Sequence, residues 1–405
     1  VSGEWAAITG LGAVSGYGWG AAALWQGALS GETAIRSFHR FDHSAYRTHV
    51  ASEVPDVPEL GPSPAAPRLS IADRFALVAA AEALAEAGLP ERLDELAAGL
   101  FFGSSTGGML ESEEYFDRLT GPAKRAPVSL LASQQPSGPG DAVARACGVR
   151  GPVETIASAC ASATLALGAA LEAIRSGEIE VALVGGADSL CRLTFAGFNS
   201  LRAVDELPCR PFRRERSGMS IGEGAAVLVL ESRAAAARRG ARPLAWLAGV
   251  GASCDAYHMT SPDPRGEGIS RAVTAALADA GTTAGEIDLV NLHGTGTPHN
   301  DDAEARMLAH VFGERAARIP ATATKASIGH YLGAAGAVEA LVTVLALEHG
   351  VLPPTPGEGS VDPALGLDLV VGAPRAVPSA RRALSTNLAF GGTNAACVLV
   401  HREAI

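Results

Sequence analysis

Lysine is almost missing from this chain. Of 32 basic residues in 405, thirty are arginine, and the two lysines are Lys124 and Lys325. Charge is sparse at 19%, and acidic residues outnumber basic ones 43 to 32 for a net charge of −11. That balance excludes a nonspecific nucleic-acid binder, which must concentrate positive charge against phosphate. The six cysteines, at 147, 160, 191, 209, 254 and 397, include no CxxC and no metal-like spacing. A disulfide framework is therefore not expected, and a reducing cytoplasm fits best. The opening VSGEWAAITGLG lacks the basic start and apolar stretch of a signal peptide. Long uncharged apolar runs are also absent, because Glu172, Arg175 and Glu339 interrupt the apolar helices. A soluble, cytoplasmic protein without membrane contact is the expectation.

Small and apolar residues are what the chain has in quantity. Glycine and proline contribute 47 and 24 residues without a period, which excludes collagen-like repeats, and a 47% hydrophobic content argues against disorder. Short β-like runs alternate with Ala/Leu-rich helical runs, the pattern of an α/β protein. Strands are expected at 6–12, 98–103, 152–158, 181–188, 225–231, 287–294, 319–324 and 395–400. Helices are expected at 71–87, 161–175, 269–280, 302–312 and 335–348, with Gly177 and Gly350 closing the two most regular. FFGSSTGG precedes a strand and a helix opening at Cys160; VNLHGTGT precedes a strand and a helix near His330. A unit used twice in the same order points to duplication, with halves 1–237 and 238–405 meeting near RAAAARRGARP. The first half carries the reactive cysteine and the second carries two histidines.

Cys160, in ASACASATLALG, stands where a strand gives way to a helix. The unpaired N–H groups of a helix N-terminus favour a thiolate there, and small neighbours leave the sulfur accessible. The other five cysteines read as packing residues. His293 begins HGTGTP, where two glycines permit close backbone approach and Thr295 and Thr297 offer hydroxyls. A metal set of His293, His299, Asp301 and Asp302 has neither the spacing nor the helix register of known ligands, so no metal is expected. KASIGHYLGAAGAVEA supplies Lys325, His330 and Glu339. An uncharged histidine at a helix start can donate to a developing oxyanion. Lys325 can bias its neighbours' protonation, whereas Glu339 taken alone reads as a solvated helix face. FGGTN places Phe390 and Gly391 on a tight turn before an apolar strand. One cysteine and two histidines on such turns outline acyl transfer, and suit decarboxylative carbon–carbon condensation better than hydrolysis.

ITGLGAVS, SACAS, GGADS, RPF…GEGA, DAYHMTSP, NLHGTGTP, KASIGHYLGAAGAVEA and FGGTN follow one another along the whole chain. In this order they resemble the elongating β-ketoacyl-acyl-carrier-protein synthases, condensing enzymes of thiolase fold. The resemblance implies a five-layered αβαβα fold from two duplicated halves, and a dimer. It implies Cys160 as nucleophile, His293 and His330 as the decarboxylation and enolate-stabilising pair, and Lys325 with Glu339 as a supporting ion pair. Backbone N–H groups of Cys160 and Phe390 would form the oxyanion hole, with Phe390 also the gate, and Thr295 and Thr297 would contact the phosphopantetheine arm. The acyl carrier protein brings that arm, so no diffusible cofactor is implied.

Departures from the pattern carry further expectations. Ala389 replaces a gate glycine next to Phe390 and Gly391; since alanine resists positive φ, a stiffened gate is expected. Thr106 replaces an isoleucine-like residue and should alter the acyl pocket's floor, which Phe198 should also line. Arg213 stands where the pattern has Asp. With Arg202, Arg210, Arg214 and Arg216 it forms a basic cluster suited to docking an acidic carrier protein. These departures favour type II polyketide synthesis over housekeeping fatty-acid elongation, with either a homodimer or a heterodimer with a chain-length-factor-like subunit. A noncatalytic chain-length partner would lack the cysteine, and a degradative thiolase would use a second cysteine as base.

Overall fold

The computed structural model describes residues 4–56, 69–122 and 124–404. Ten strands carry the architecture: β1 (Ala6–Ser15), β2 (Ala98–Gly103), β3 (Val153–Ile156), β4 (Val181–Asp188), β5 (Gly224–Glu231), β6 (Ala245–Cys254), β7 (Leu289–Asn291), β8 (Pro320–Thr322), β9 (Arg382–Leu388) and β10 (Thr393–His401). Six helices cover and divide them: α1 (Ile71–Ala87), α2 (Gly138–Cys147), α3 (Ser162–Arg175), α4 (Glu267–Ala280), α5 (Pro298–Phe312) and α6 (Ala335–His349).

The two halves repeat one pairing scheme. In the first, the order is β3-β2-β4-β5-β1, with β3, β2 and β4 parallel and β5 antiparallel to both neighbours. In the second, the order β8-β7-β9-β10-β6 has the same directions. The halves join where Ala6–Ile8 of β1 runs antiparallel to Ala245–Leu247 of β6. The outer helices repeat too. Gly10 and Gly12 let α1 lie so close to β1 that a Cβ would meet the Ala83 and Ala79 carbonyls at 2.1 and 1.9 Å. Gly249 and Gly251 do the same for α4 on β6, where a Cβ would meet Ala280 N at 2.4 Å and Ala272 O at 2.2 Å. This is a duplicated, thiolase-like α/β fold.

Helices α3 and α6 form the middle layer, packed on each other and on strands of both halves. Every residue of α6 from Ala335 to Leu347 is buried. Among the described residues, Leu332–His349 is the one helical stretch long and apolar enough to cross a membrane, with mean hydropathy 1.4, and 89% of it is buried inside the protein. It is a core helix with Glu339 in its middle. Both inner helices start alike. Ala159 (φ 45) and Leu332 (φ 47) take the left-handed backbone and open short 3₁₀ turns, Ala159–Ala161 and Leu332–Ala334, that lead into α3 and α6. Left-handed backbone costs a non-glycine residue about 1–2 kcal/mol, so tertiary packing imposes it at both places.

The expected helices are all present. Helix 71–87 matches throughout, while α5 begins four residues earlier than expected, at Pro298. The strand expected at 287–294 shrinks to Leu289–Asn291, because Gly294 and Gly296 take positive φ and turn the chain off the sheet. Strands β6 and β9 were not expected. The first is rich in alanine and glycine, and the second mixes Ser, Thr and Asn into its apolar run, so neither shows a clean β period. The division expected at 237/238 lies inside the short helix Arg233–Arg238, one residue before its end.

Candidate active site

Duplication aims the starts of α3 and α6 at one another, and the site lies there. Cys160 sits in the 3₁₀ turn ahead of α3 rather than in its first helical turn. His330 Nε2 is 2.9 Å from Cys160 Sγ. The rings of His293 and His330 meet edge to face with centroids 5.3 Å apart. All three side chains are buried and end a cavity of about 430 Å³. Thr295, Thr297, Phe198, Arg202, Ala389 and Phe390 also line it.

Hydrogen bonds fix the imidazoles. The Leu332 N–H donates to His330 Nδ1 at 3.2 Å, so that nitrogen holds a lone pair and Nε2 carries the proton. Lys325 Nζ lies 2.9 Å from His293 Nδ1, and Asn387 Nδ2 lies 3.2 Å from it. Asn387 cannot be turned over, because its Nδ2 also donates to Glu339 Oε2 at 2.7 Å while Thr164 donates to its Oδ1. Facing two donors, His293 Nδ1 accepts, and its proton too is on Nε2. Burial, reinforced by the Lys325 charge, holds both histidines well below the ordinary imidazole pKa. They are neutral donors at pH 7.

Lys325 and Glu339 form a buried ion pair, each 2% exposed. This corrects the solvated-face expectation for Glu339: the face of α6 that carries it looks into the second half, not into water. Burial raises the Glu339 carboxyl pKa, and Lys325 opposes that rise.

The Cys160 thiol also departs from expectation. Burial pushes its pKa up to about 11, although Lys325 and the N–H groups of Phe390 and Cys160 pull the other way. Desolvation of the thiolate outweighs the helix N-terminus, so Cys160 rests as a thiol. Its thiolate fraction therefore grows with pH across the whole neutral range. Alkylation by iodoacetamide, followed by peptide mass analysis at Cys160, is expected to accelerate about tenfold per pH unit from pH 7 to 9 without levelling. A plateau near neutrality would reveal a thiolate instead.

Phe390 and Phe198 lie with ring centroids 5.6 Å apart at the cavity wall. In the adjoining loop, Gly391 (φ 89) and Gly392 (φ 86) hold the left-handed backbone, and Gly391 N–H donates to the Met259 carbonyl. Ala389 has no positive φ, so alanine replaces the gate glycine there without backbone strain. Gly391 itself is exposed and does not line the cavity. Thr106 is also off the cavity. Its hydroxyl and N–H both donate to Asp188 Oδ1 at 2.8 Å, which corrects the expectation of a pocket-floor residue.

The arginine cluster disperses. Arg213 is 4% exposed and donates to the Thr355 carbonyl, and among the described residues no carboxylate pairs with it. Arg216 is bound to Asp302 and Asp362, and Arg210 pairs with Asp205 at 3.3 Å. Arg202 and Arg214 alone of the five are exposed. A buried cation without a counter-charge is costly, so Arg213→Met is expected to raise stability by about 1 kcal/mol in urea unfolding. Destabilisation by that variant would mean that the buried hydrogen bond to the Thr355 carbonyl outweighs the cost of the buried charge.

The conceivable metal set does not assemble. Asp301 is fully buried and accepts from Phe212 N and Gly296 N, Asp302 binds Arg216, and His299 is exposed. Cys254 is exposed, unlike the other cysteines outside the site. Three anchors escaped the sequence reading. Glu304 accepts from the N–H groups of His293 and Gly294 at 2.7 Å each, which pins the HGTG turn. Asp188 accepts from Ser104, Ser105, Thr106 and Gly333, joining the GSST loop to the start of α6. Asn387 fixes His293. A polar residue within the apolar β9 run, and an acid closing β4, were the available signals.

A duplicated thiolase-like fold with one cysteine and two neutral histidines converging on a cavity defines a thiol-dependent acyl-transferring condensing enzyme. Family models bear this out: residues 5–236 match the β-ketoacyl synthase N-terminal domain and residues 244–357 its C-terminal domain. The chain belongs to the β-ketoacyl synthase family. It is 35% identical to 3-oxoacyl-[acyl-carrier-protein] synthase 2 of Staphylococcus aureus, over 98% of each chain. Among solved structures it is similar to the ishigamide ketosynthase/chain length factor, with TM-score 0.92, 34% identity, and 98% and 99% of the two chains covered. It is also similar to a chain of a type II PKS acyl-carrier protein complex with its ketosynthase, with TM-score 0.89, 28% identity, and 98% and 100% covered.

Proposed function

We propose that the chain condenses an acyl thioester held on Cys160 with malonyl-acyl carrier protein, as a type II polyketide ketosynthase. The convergence of Cys160 Sγ with two Nε2–H donors carries the reading. Cys160 attacks the acyl thioester, its carbonyl–sulfur bond to the pantetheine arm breaks, and the departing sulfur takes the thiol proton. The N–H groups of Cys160 and Phe390 hold the intermediate's oxyanion. The malonyl unit then loses CO₂, and the two Nε2–H groups hold the enolate oxygen. The enolate carbon bonds to the acyl carbon, the Cys160 bond breaks, and the thiolate recovers a proton from solvent. Lys325 and Glu339 set the proton positions, Thr295 and Thr297 contact the arm, and Phe390 gates the acyl chain with Phe198 beside it. No diffusible cofactor is required.

The carrier protein docks at the cavity mouth, with Arg202 and Arg214 the arginines free to meet its acidic surface. The bonds of Arg210 and Arg213 leave them to organise the loop. A second chain covers the outer edge of β3, an edge strand whose first two residues are exposed. The similar structure of a ketosynthase/chain length factor supports a heterodimer, and the similar type II PKS ketosynthase supports a polyketide product. The similarity to a 3-oxoacyl-[acyl-carrier-protein] synthase 2 supports the second reading, fatty-acid elongation, for which a homodimer would suffice.

Intact-mass analysis after offering saturated and polyunsaturated acyl-carrier proteins tests the reading. Acylation confined to Cys160 is expected; adducts elsewhere overturn the mechanism. Native mass spectrometry with co-expressed neighbours separates the pathways: a homodimer that elongates saturated chains unaided reassigns the enzyme to fatty-acid synthesis.

A further inference from the structure

Cys160 Sγ and one ring nitrogen from each of His293 and His330 lie within 4.8 Å of one another in a buried pocket. One sulfur and two imidazoles at such spacing are a donor set that Zn(II) and Co(II) bind tightly elsewhere. An enzyme with this triangle exposed to the cell's metal pool would be poisoned unless something forbids ligation. We propose that the hydrogen bonds behind the two rings make the triangle metal-proof, with Lys325 and Asn387 as the residues that keep His293 from becoming a ligand.

A metal needs lone pairs pointing into the triangle, and the structure turns them outward. His330 Nδ1 receives the Leu332 amide proton at 3.2 Å, and His293 Nδ1 faces Lys325 Nζ at 2.9 Å and Asn387 Nδ2 at 3.2 Å. For Nε2 to ligate, each ring must move its proton to Nδ1, where it would confront a donor. The Leu332 amide cannot adapt, and Asn387 is held by Glu339 and Thr164. Lys325 is bound to Glu339 and stays a donor. Metal-binding histidines have the opposite arrangement, in which the rear N–H points at a carboxylate or carbonyl acceptor. Here Glu339 is that carboxylate, and Lys325 stands between it and the ring. The same bonds that aim both Nε2–H groups at a substrate oxygen thereby exclude a cation, and the inference needs no assumption about which acyl chain is used.

Cobalt(II) is the probe, because thiolate ligation gives a near-ultraviolet charge-transfer band independent of catalysis. Wild type titrated with Co(II) is expected to show no Cys160-dependent band up to millimolar metal, judged against Cys160→Ala. Lys325→Met/Asn387→Leu removes both donors from His293 Nδ1 and frees it to turn its N–H towards Glu339, and should gain at least about tenfold in Co(II) affinity through Cys160 and His293, with a band that Cys160→Ala removes. Lys325→Met/Asn387→Leu/Glu339→Gln repeats the test without a buried unpaired carboxylate, should the double variant not fold. A Cys160-dependent band in wild type at micromolar Co(II) overturns the proposal. So does a folded Lys325/Asn387 variant that resists the metal as well as wild type does.

Discussion

Cys160→Ala is expected to abolish condensation, lowering turnover about 10⁴-fold or more, as removal of a covalent nucleophile does elsewhere. Only the sulfur is lost. Its 7% exposure means that alanine leaves a small buried gap, and the neighbouring Ala159 and Ala161 already set the turn. The rings of His293 and His330 are held from behind by Lys325, Asn387 and the Leu332 amide, none of which touches Cys160. Decarboxylation of malonyl-carrier protein should therefore continue while acyl transfer stops. Mass spectrometry of the carrier protein reads both: acetyl-carrier protein accumulates and no β-ketoacyl product forms. Condensation by the variant at the wild-type rate would overturn the assignment of Cys160.

Lys325→Met is expected to cost about 3–5 kcal/mol of stability, because it leaves Glu339 buried without its counter-charge. Lys325→Met/Glu339→Leu removes both charges, and in urea unfolding it should recover most of that loss. Activity should not return with stability. His293 Nδ1 would keep only the 3.2 Å contact from Asn387, whose Glu339 anchor is also gone, so the Nε2 proton would no longer be assured at the enolate. Full activity in the stable double variant would show that the pair serves folding alone. Equal destabilisation of single and double variants would show that the two side chains do not depend on each other.

Sequence alone determined a good deal. The order of its motifs identified the family, and the α/β alternation with a repeated glycine-turn unit gave the duplicated fold. Cys160, His293, His330 and Lys325 were legible because each sits on a small-residue turn, where packing alone would not select a cysteine, a histidine or a rare lysine. Tertiary structure decided what those residues are chemically. Glu339 taken alone reads as a surface residue along α6, and only the packing of α6 against Lys325 and Asn387 within the second half makes it a buried partner of that lysine. Helix position suggested a thiolate at Cys160, but desolvation by elements far apart in sequence makes it a thiol. Thr106 and Arg213 stand at positions where a family pattern implies pocket and docking roles, yet Asp188 and the Thr355 carbonyl claim them. Local sequence carries residue types and motif order; the left-handed turns at Ala159 and Leu332, burial, proton position and counter-charge depend on tertiary packing around α3 and α6.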